Sequence, residues 1–167
     1  KELVVIGAGY IGLELGTVWA RLGATVEVIE FLPQILPGMD DEIAKKFMAI
    51  AKKQGLSFRL STAVKQAKSL KTGVSLTVEP ADGGKTETVT ADIALVSVGR
   101  HPETDGLGLD VAGIALTERG RIAVDTRFET SLDDVFAIGD VIEGPMLAHK
   151  AEEDAVAAVE MMAGKAG

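Results

Sequence analysis

The sequence predicts an α/β fold in three layers, with a central parallel sheet and an antiparallel β-meander, and three patterns carry that prediction. Apolar runs at residues 3–6 and, interrupted only by Ser97, at 93–98 suit strands covered on both faces of a parallel sheet. An apolar repeat at helical spacing follows the first run, and alternation of apolar and polar residues over 74–78 marks a strand with one wet face.

In chain order, LVVI at 3–6 runs into Gly7. Behind it Ile11, Leu15, Val18, Trp19 and Leu22 recur every three or four residues and predict an amphipathic helix with Gly23 as its C-cap. Residues 25–30 complete a strand–helix–strand unit. Asp40 or Asp41 caps a second helix whose apolar positions Ile43, Phe47, Ile50 and Ala51 face one way, and Gly55 stops it. Residues 56–60 form a third strand. Val74, Leu76 and Val78 then alternate with polar residues, Asp82-Gly83-Gly84 turns the chain, and residues 86–90 run back as a hairpin or meander. The run 93–98 reads as another central strand ending at Gly99-Arg100 on the ligand side of the sheet, where Gly99 admits a cofactor closely.

Beyond Pro102 the chain is rich in loops. Two short strands are expected around 122–124 and 135–138, the second ending in Gly139-Asp140. A last helix follows Pro145 and carries Ala148, Ala151, Ala155, Val159 and Met162 on one side. There is no repeat or low-complexity tract, and a composition shift near residue 100 divides the chain into 1–100 and 101–167.

Composition narrows the chemistry. Seventeen Lys and Arg against 25 Asp and Glu give a net charge of −8, which repels nucleic acid and anionic membranes. The chain contains no cysteine, so it carries no disulfide, thiolate nucleophile or thiolate metal site. His101 and His149 have no carboxylates at ligand spacing, so no metal site is expected. No signal peptide or 18-residue apolar span is visible, and an opening on Lys1 inside a strand points to a piece of a longer polypeptide.

The stretch GAGYIGLELG at 7–16 supplies a function. Gly7 permits a tight turn off the strand, Gly9 lets backbone approach a pyrophosphate, and Gly12 lets the helix pack close to the sheet. The helix N-terminus offers N–H donors and the positive end of its dipole to phosphates. Glu30, at the tip of the second strand, accepts hydrogen bonds from ribose hydroxyls and repels a 2′-phosphate. Phe31, Leu32 and Pro33 follow without a cation, so the reading is NAD over NADP. FAD satisfies the same glycine pattern. The plainer alternative is a strand–helix–strand unit with a glycine-rich turn and no ligand, in which Tyr10 is a half-exposed aromatic, Glu14 a solvated helix residue, Asp140 a turn residue and His149 a surface histidine.

Five segments, GAGYIGLELG, VSVGRHP (96–102), RGRIAVDTRFET (119–130), VFAIGD (135–140) and GPMLAHKAEE (144–153), resemble in order and spacing the dihydrolipoamide dehydrogenases of the pyridine-nucleotide disulfide oxidoreductase family. The resemblance covers essentially the whole chain. It implies a Rossmann-like NAD-binding domain at 1–100 and, at 101–167, the central portion that completes an FAD domain. It also implies partners outside this chain: an N-terminal FAD domain with a redox-active Cys-x4-Cys and a C-terminal interface domain with a His-Glu pair. The parent is then a homodimer serving 2-oxoacid dehydrogenase complexes, in a bacterial cytoplasm or the mitochondrial matrix.

By the same resemblance, Gly7, Ala8, Gly9, Ile11 and Gly12 belong to the NAD pyrophosphate loop and Glu30 is the ribose ligand. Tyr10 is the gate that shields the flavin, Glu14 lies near the nicotinamide carboxamide, Val64 touches adenine and Gly99 touches NAD. Asp140 holds a flavin ribityl hydroxyl, and Met146, Leu147, Ala148 and His149 form the turn that stabilises reduced flavin. Ala155 departs from the family's usual glycine. No catalytic residue is assigned within the chain, and the isolated chain is expected to bind NAD(H) without turnover. Mercuric reductase, NADH peroxidase and transhydrogenase keep the same fold, and a free-standing NAD-binding module is the rival of a different class.

Overall fold

Strand β1 (Glu2–Ile6) lies at the middle of a parallel sheet, and its residues are covered for different reasons on its two faces. The computed structural model describes residues 1–165. The chain divides into two compact units, Lys1–Gly99 and the part from Arg100 onward. In the first, β1 is followed by α1 (Tyr10–Arg21), β2 (Thr25–Ile29), α2 (Asp41–Lys53) and β3 (Leu56–Arg59). Then come β4 (Thr62–Ser69), β5 (Val74–Pro80), β6 (Glu87–Ala91) and β7 (Ile93–Val96).

The parallel sheet has the order β3-β2-β1-β7, and β4-β5-β6 form an antiparallel sheet. Alternation along β1 sends Leu3 and Val5 toward the helices, where they meet Leu13, Val26, Val28, Ala44, Ala51 and Leu56. Val4 and Ile6 point the other way and pack with Ile29 against Leu76, Val78 and Ala91 of the meander. Helices, parallel sheet and meander therefore make the three layers. Val5, Val26 and Val28 are fully buried, each worth at most roughly 1.5–3 kcal/mol relative to exposure.

Both helices approach the sheet through small residues, which corrects the sequence reading of their faces. Helix α1 turns Gly12, Leu13 and Gly16 inward, and a Cβ on Gly16 would touch Val5, Val26 and Leu56 at 3.5–3.7 Å. Leu15, Val18, Trp19 and Leu22 stay exposed. Gly23, at φ +91°, comes one residue after the cap at Leu22. Helix α2 likewise buries Ala44 and Ala51 with Met48 beside them, leaving Ile43, Phe47 and Ile50 exposed. Its N-cap is Asp40, whose Oδ1 accepts the N–H groups of Glu42 and Ile43 at 3.0 and 3.1 Å.

Two further expectations change. The run 93–98 is not a central strand: β7 pairs only with β1 and forms a sheet edge, with Ile93, Val96 and Val98 exposed. The meander also gains β4, whose TAVKQAKS pairs with β5 around a bulge between Val64 and Gln66.

The second unit has little regular structure. The strands expected near 122–124 and 135–138 reduce to isolated bridges, Leu116 with Ile122 and Glu129 with Phe136. Ile122, Ala137 and Ile142 form its small core. The helices are α3 (Leu109–Ala112) and α4 (Ala148–Met162), with a 3-10 turn at Gly139–Val141. Helix α4 buries Ala158 and leaves Val159 and Met162 exposed.

Candidate functional site

At the end of β1 the chain turns on Gly7, at φ +101°, whose N–H donates to the Ile29 carbonyl at 2.8 Å. Gly9 is the N-cap of α1 and supplies no side-chain cap, and no acid stands in the helix's first turn. The backbone donors of a first turn lie outside the helix's own ladder. A Cβ added at Gly9 would meet no atom within 4 Å, so this glycine faces open space. At Gly12 the opposite holds, because a Cβ there would collide with the Gly7 carbonyl oxygen and lie 2.5 Å from Ser97 Oγ.

The loop is held by its neighbours. Ala8 is fully buried, and its carbonyl accepts the Leu36 N–H at 2.8 Å. In a planar trans peptide the following N–H, that of Gly9, points the opposite way, away from Leu36. Glu30, only 8% exposed, follows β2 directly. Its Oε2 accepts the Ala8 N–H at 2.6 Å and its Oε1 the Leu32 N–H at 2.9 Å. Two backbone bonds leave part of a carboxylate's acceptor capacity for hydroxyl donors.

Sequence reasoning found no cation beside Glu30, yet the Glu30 N–H donates to the Arg59 carbonyl at 2.9 Å. The Arg59 side chain is committed elsewhere, to Glu27 at 3.1 Å and Glu87 at 2.8 Å. Burial pulls its pKa down, but hydrogen bonding and charge attraction from Glu27, then Glu87, more than offset this and leave it above the ordinary arginine value.

Tyr10 and Glu14 lie one turn apart on α1, both exposed, with half-buried Ile11 between them. Gly99, at φ +119°, also faces open space beyond β7. Val64 is placed differently: it sits on β4 opposite Val78 and packs against the meander core. An open Gly9, an uncapped helix start and a carboxylate at the β2 tip make a donor and acceptor set that fits a dinucleotide's pyrophosphate and ribose.

Within the second unit, Asp140 lies in the 3-10 turn and pairs with Arg100 at 3.2 Å. Met146 and Leu147 are half-buried and Ala148 and His149 exposed, where α4 begins with no side-chain cap on Leu147 and no acid in its first turn. Asp154 on α4 accepts the Gly139 N–H at 3.1 Å and the Lys150 ammonium at 2.5 Å, tying the turn to the helix. A helix start free of acids beside a fixed turn fits an anionic group. Ser97, Arg59 and Asp154 were missed by sequence reasoning, because single polar residues outside a repeat leave no periodic signal. Among the described residues no cluster fit for a metal ion occurs, and no helix is long and apolar enough to cross a membrane.

The three layers and the glycine turn have the dinucleotide-binding fold of the flavoprotein disulfide reductases. The chain superposes on LpdA from Mycobacterium tuberculosis with a TM-score of 0.86, at 27% identity, over 98% of this chain and 35% of that one. The HOCl-induced flavoprotein disulfide reductase RclA from Escherichia coli gives 0.84, at 29% identity, over 98% and 36%. More narrowly, the chain belongs to the pyridine nucleotide-disulphide oxidoreductase family, whose model matches residues 1–155.

Among curated relatives, it is 56% identical to the mitochondrial dihydrolipoyl dehydrogenase of Pisum sativum over all 167 residues, 33% of that protein. It is 54% identical to a leghemoglobin reductase of Glycine max, over the whole chain and 32% of that protein. Identity to the mitochondrial dihydrolipoyl dehydrogenase of Rattus norvegicus is 52%, over 99% of the chain and 33% of the relative. The chain thus spans about a third of the length of the curated relatives it matches.

Proposed function

We propose that this chain is the nucleotide-binding part of a dihydrolipoyl dehydrogenase-type flavoprotein, with residues 1–100 holding NAD and 101–167 completing an FAD site. The observation that carries the reading is the glycine turn: Gly9 has open space on its Cβ side at the start of α1, and the peptide before it is held by the Leu36 bond to the Ala8 carbonyl. In this reading the first turn of α1 receives the pyrophosphate, Glu30 accepts the ribose hydroxyls with its remaining acceptor capacity, and Gly99 leaves room beside them. Tyr10 and Glu14, a turn apart on the exposed side of α1, stand toward the nicotinamide end, and Val64 borders the adenine. In the second unit Asp140 and the segment Met146–His149 hold the flavin side. When bound, the two cofactors supply hydride transfer between flavin and nicotinamide. This chain's residues bind, orient and polarise; with no cysteine they perform no thiol–disulfide step.

The partners in this reading are an FAD domain and an interface domain of the parent, a second protomer, and a 2-oxoacid dehydrogenase complex in the mitochondrial matrix or a bacterial cytoplasm. Identity of 52–56% to dihydrolipoyl dehydrogenases supports that branch, with leghemoglobin reductases at 54–55% in the same range. Isothermal titration of the chain tests the core of the reading. NADH binds, NADPH binds at least about tenfold more weakly because Glu30 faces the added phosphate, and dihydrolipoamide with NAD⁺ gives no NADH. Absence of NADH binding, or lipoamide-dependent turnover by these 167 residues alone, overturns it.

A further inference from the structure

We infer that Ser97 is a positioning residue of the dinucleotide loop: its hydroxyl and the Glu30 carboxylate grip opposite ends of the Gly7–Ala8 peptide and so set the direction of the loop's donors. The inference deepens the NAD reading above and rests on it.

Ser97 lies one residue past β7, half-buried, with its backbone N–H bonded to the Ile6 carbonyl at 2.8 Å. Its Oγ is 3.0 Å from the same carbonyl and 3.2 Å from that of Gly7. A hydroxyl has one proton, so the two carbonyls share it in a three-centre bond. The Gly7 carbonyl and the Ala8 N–H belong to one planar trans peptide and point in opposite directions. One end of that peptide meets Ser97 Oγ, and the other meets Glu30 Oε2 at 2.6 Å. The next peptide is held at its Ala8 carbonyl by the Leu36 N–H, and the N–H at its other end is that of Gly9, the residue whose Cβ side is open. Two clamped peptides in succession leave the Gly9 N–H little freedom to turn.

The fit around Ser97 is close. A Cβ on Gly12 would stand 2.5 Å from Ser97 Oγ, and one on Gly7 would strike the Ser97 carbonyl. Gly12 therefore does more than bring α1 near the sheet: its missing side chain makes the seat for the hydroxyl. Preorganised donors bind an anion without the cost of ordering them, which is what a loosened peptide would lose.

Ser97→Ala removes the hydroxyl without adding atoms. The chain and this variant are titrated with ADP-ribose, which carries the pyrophosphate, and with adenosine, which does not. Amide hydrogen exchange of residues 7–12 is followed without ligand. Ser97→Ala is expected to weaken ADP-ribose about five- to tenfold, the scale of one hydrogen bond. Adenosine affinity stays unchanged, and exchange at Ala8, whose N–H is bonded to Glu30, speeds up relative to β1. Unchanged ADP-ribose affinity overturns the inference, and so does an equal loss for both ligands with a lowered melting temperature, which marks Ser97 as general support only. If the native chain binds neither NADH nor ADP-ribose, the NAD reading falls; exchange unchanged by Ser97→Ala then overturns the clamp as well, and faster local exchange retains it as a property of the turn.

Discussion

Arg59 Nε lies 3.1 Å from Glu27 Oε1, across the pairing of β3 with β2, while Nη1 of the same guanidinium reaches Glu87 on β6 at 2.8 Å. One side chain thus joins the parallel sheet to the meander at the rim of their shared core. Arg59→Met is expected to cost about 1–3 kcal/mol, because Glu27, with its side chain 29% exposed, is left without its partner. Glu87→Gln, at a side chain 65% exposed, costs under about 1 kcal/mol. Urea unfolding of the two variants measures the difference. Since the arginine pKa is raised on folding, this contribution is fully present below the ordinary arginine value and lost only as pH climbs through the raised one. From this pair, stability is flat through neutral pH.

Gly9 and Gly12 separate binding from folding. Gly12→Ala forces a methyl into the Gly7 carbonyl and the Ser97 hydroxyl, and is expected to lower stability by roughly 1–3 kcal/mol or more. Gly9→Ala meets no atom within 4 Å, so it leaves the melting temperature nearly unchanged while its methyl intrudes on the space proposed for the pyrophosphate. Thermal melts paired with NADH titration read both effects. A Gly9→Ala chain that binds NADH normally would place the dinucleotide elsewhere.

Asp154 is the corresponding fastener of the second unit. Its side chain is 12% exposed and carries both the Lys150 ammonium and the Gly139 N–H. Asp154→Ala strands both donors and is expected to cost about 1–3 kcal/mol, whereas Asp154→Asn retains an acceptor for Gly139 and costs less. Chemical denaturation followed by circular dichroism orders the two. Equal losses would assign the effect to charge alone.

The parts of this structure legible in the sequence were those written as repeats or as glycine geometry. LVVI ending at Gly7, the Asp40 cap and the alternation of Val74, Leu76 and Val78 each follow from a local rule, and each sits where that rule puts it. The helix faces were misread because, beside Leu13, the buried positions of α1 and α2 are the small residues Gly12, Gly16, Ala44 and Ala51, and small side chains add little to an apolar repeat. β4 was missed since KQAKS is exposed and polar, and its pairing is dictated by β5. Residues 93–98 read as central because an edge strand and a buried one share the same apolar run; only the sheet order distinguishes them. Apart from the local bond from Leu32 to Glu30, the side-chain contacts of Ser97, Arg59 and Glu30 span 22 to 91 positions in the chain, so the fold itself creates them.

The outward turn of the α1 stripe gives the molecule an optical handle. Trp19 is its single tryptophan and is 49% exposed, among Leu15, Val18 and Leu22 on the same helix. Its indole emission should therefore be red-shifted and readily quenched by iodide or acrylamide in the free chain. Anything that covers this helix, whether another stretch of polypeptide or a second molecule at high concentration, would shift that emission to the blue and shield it from the quencher. A cuvette and a lamp are enough to see when this surface acquires a neighbour.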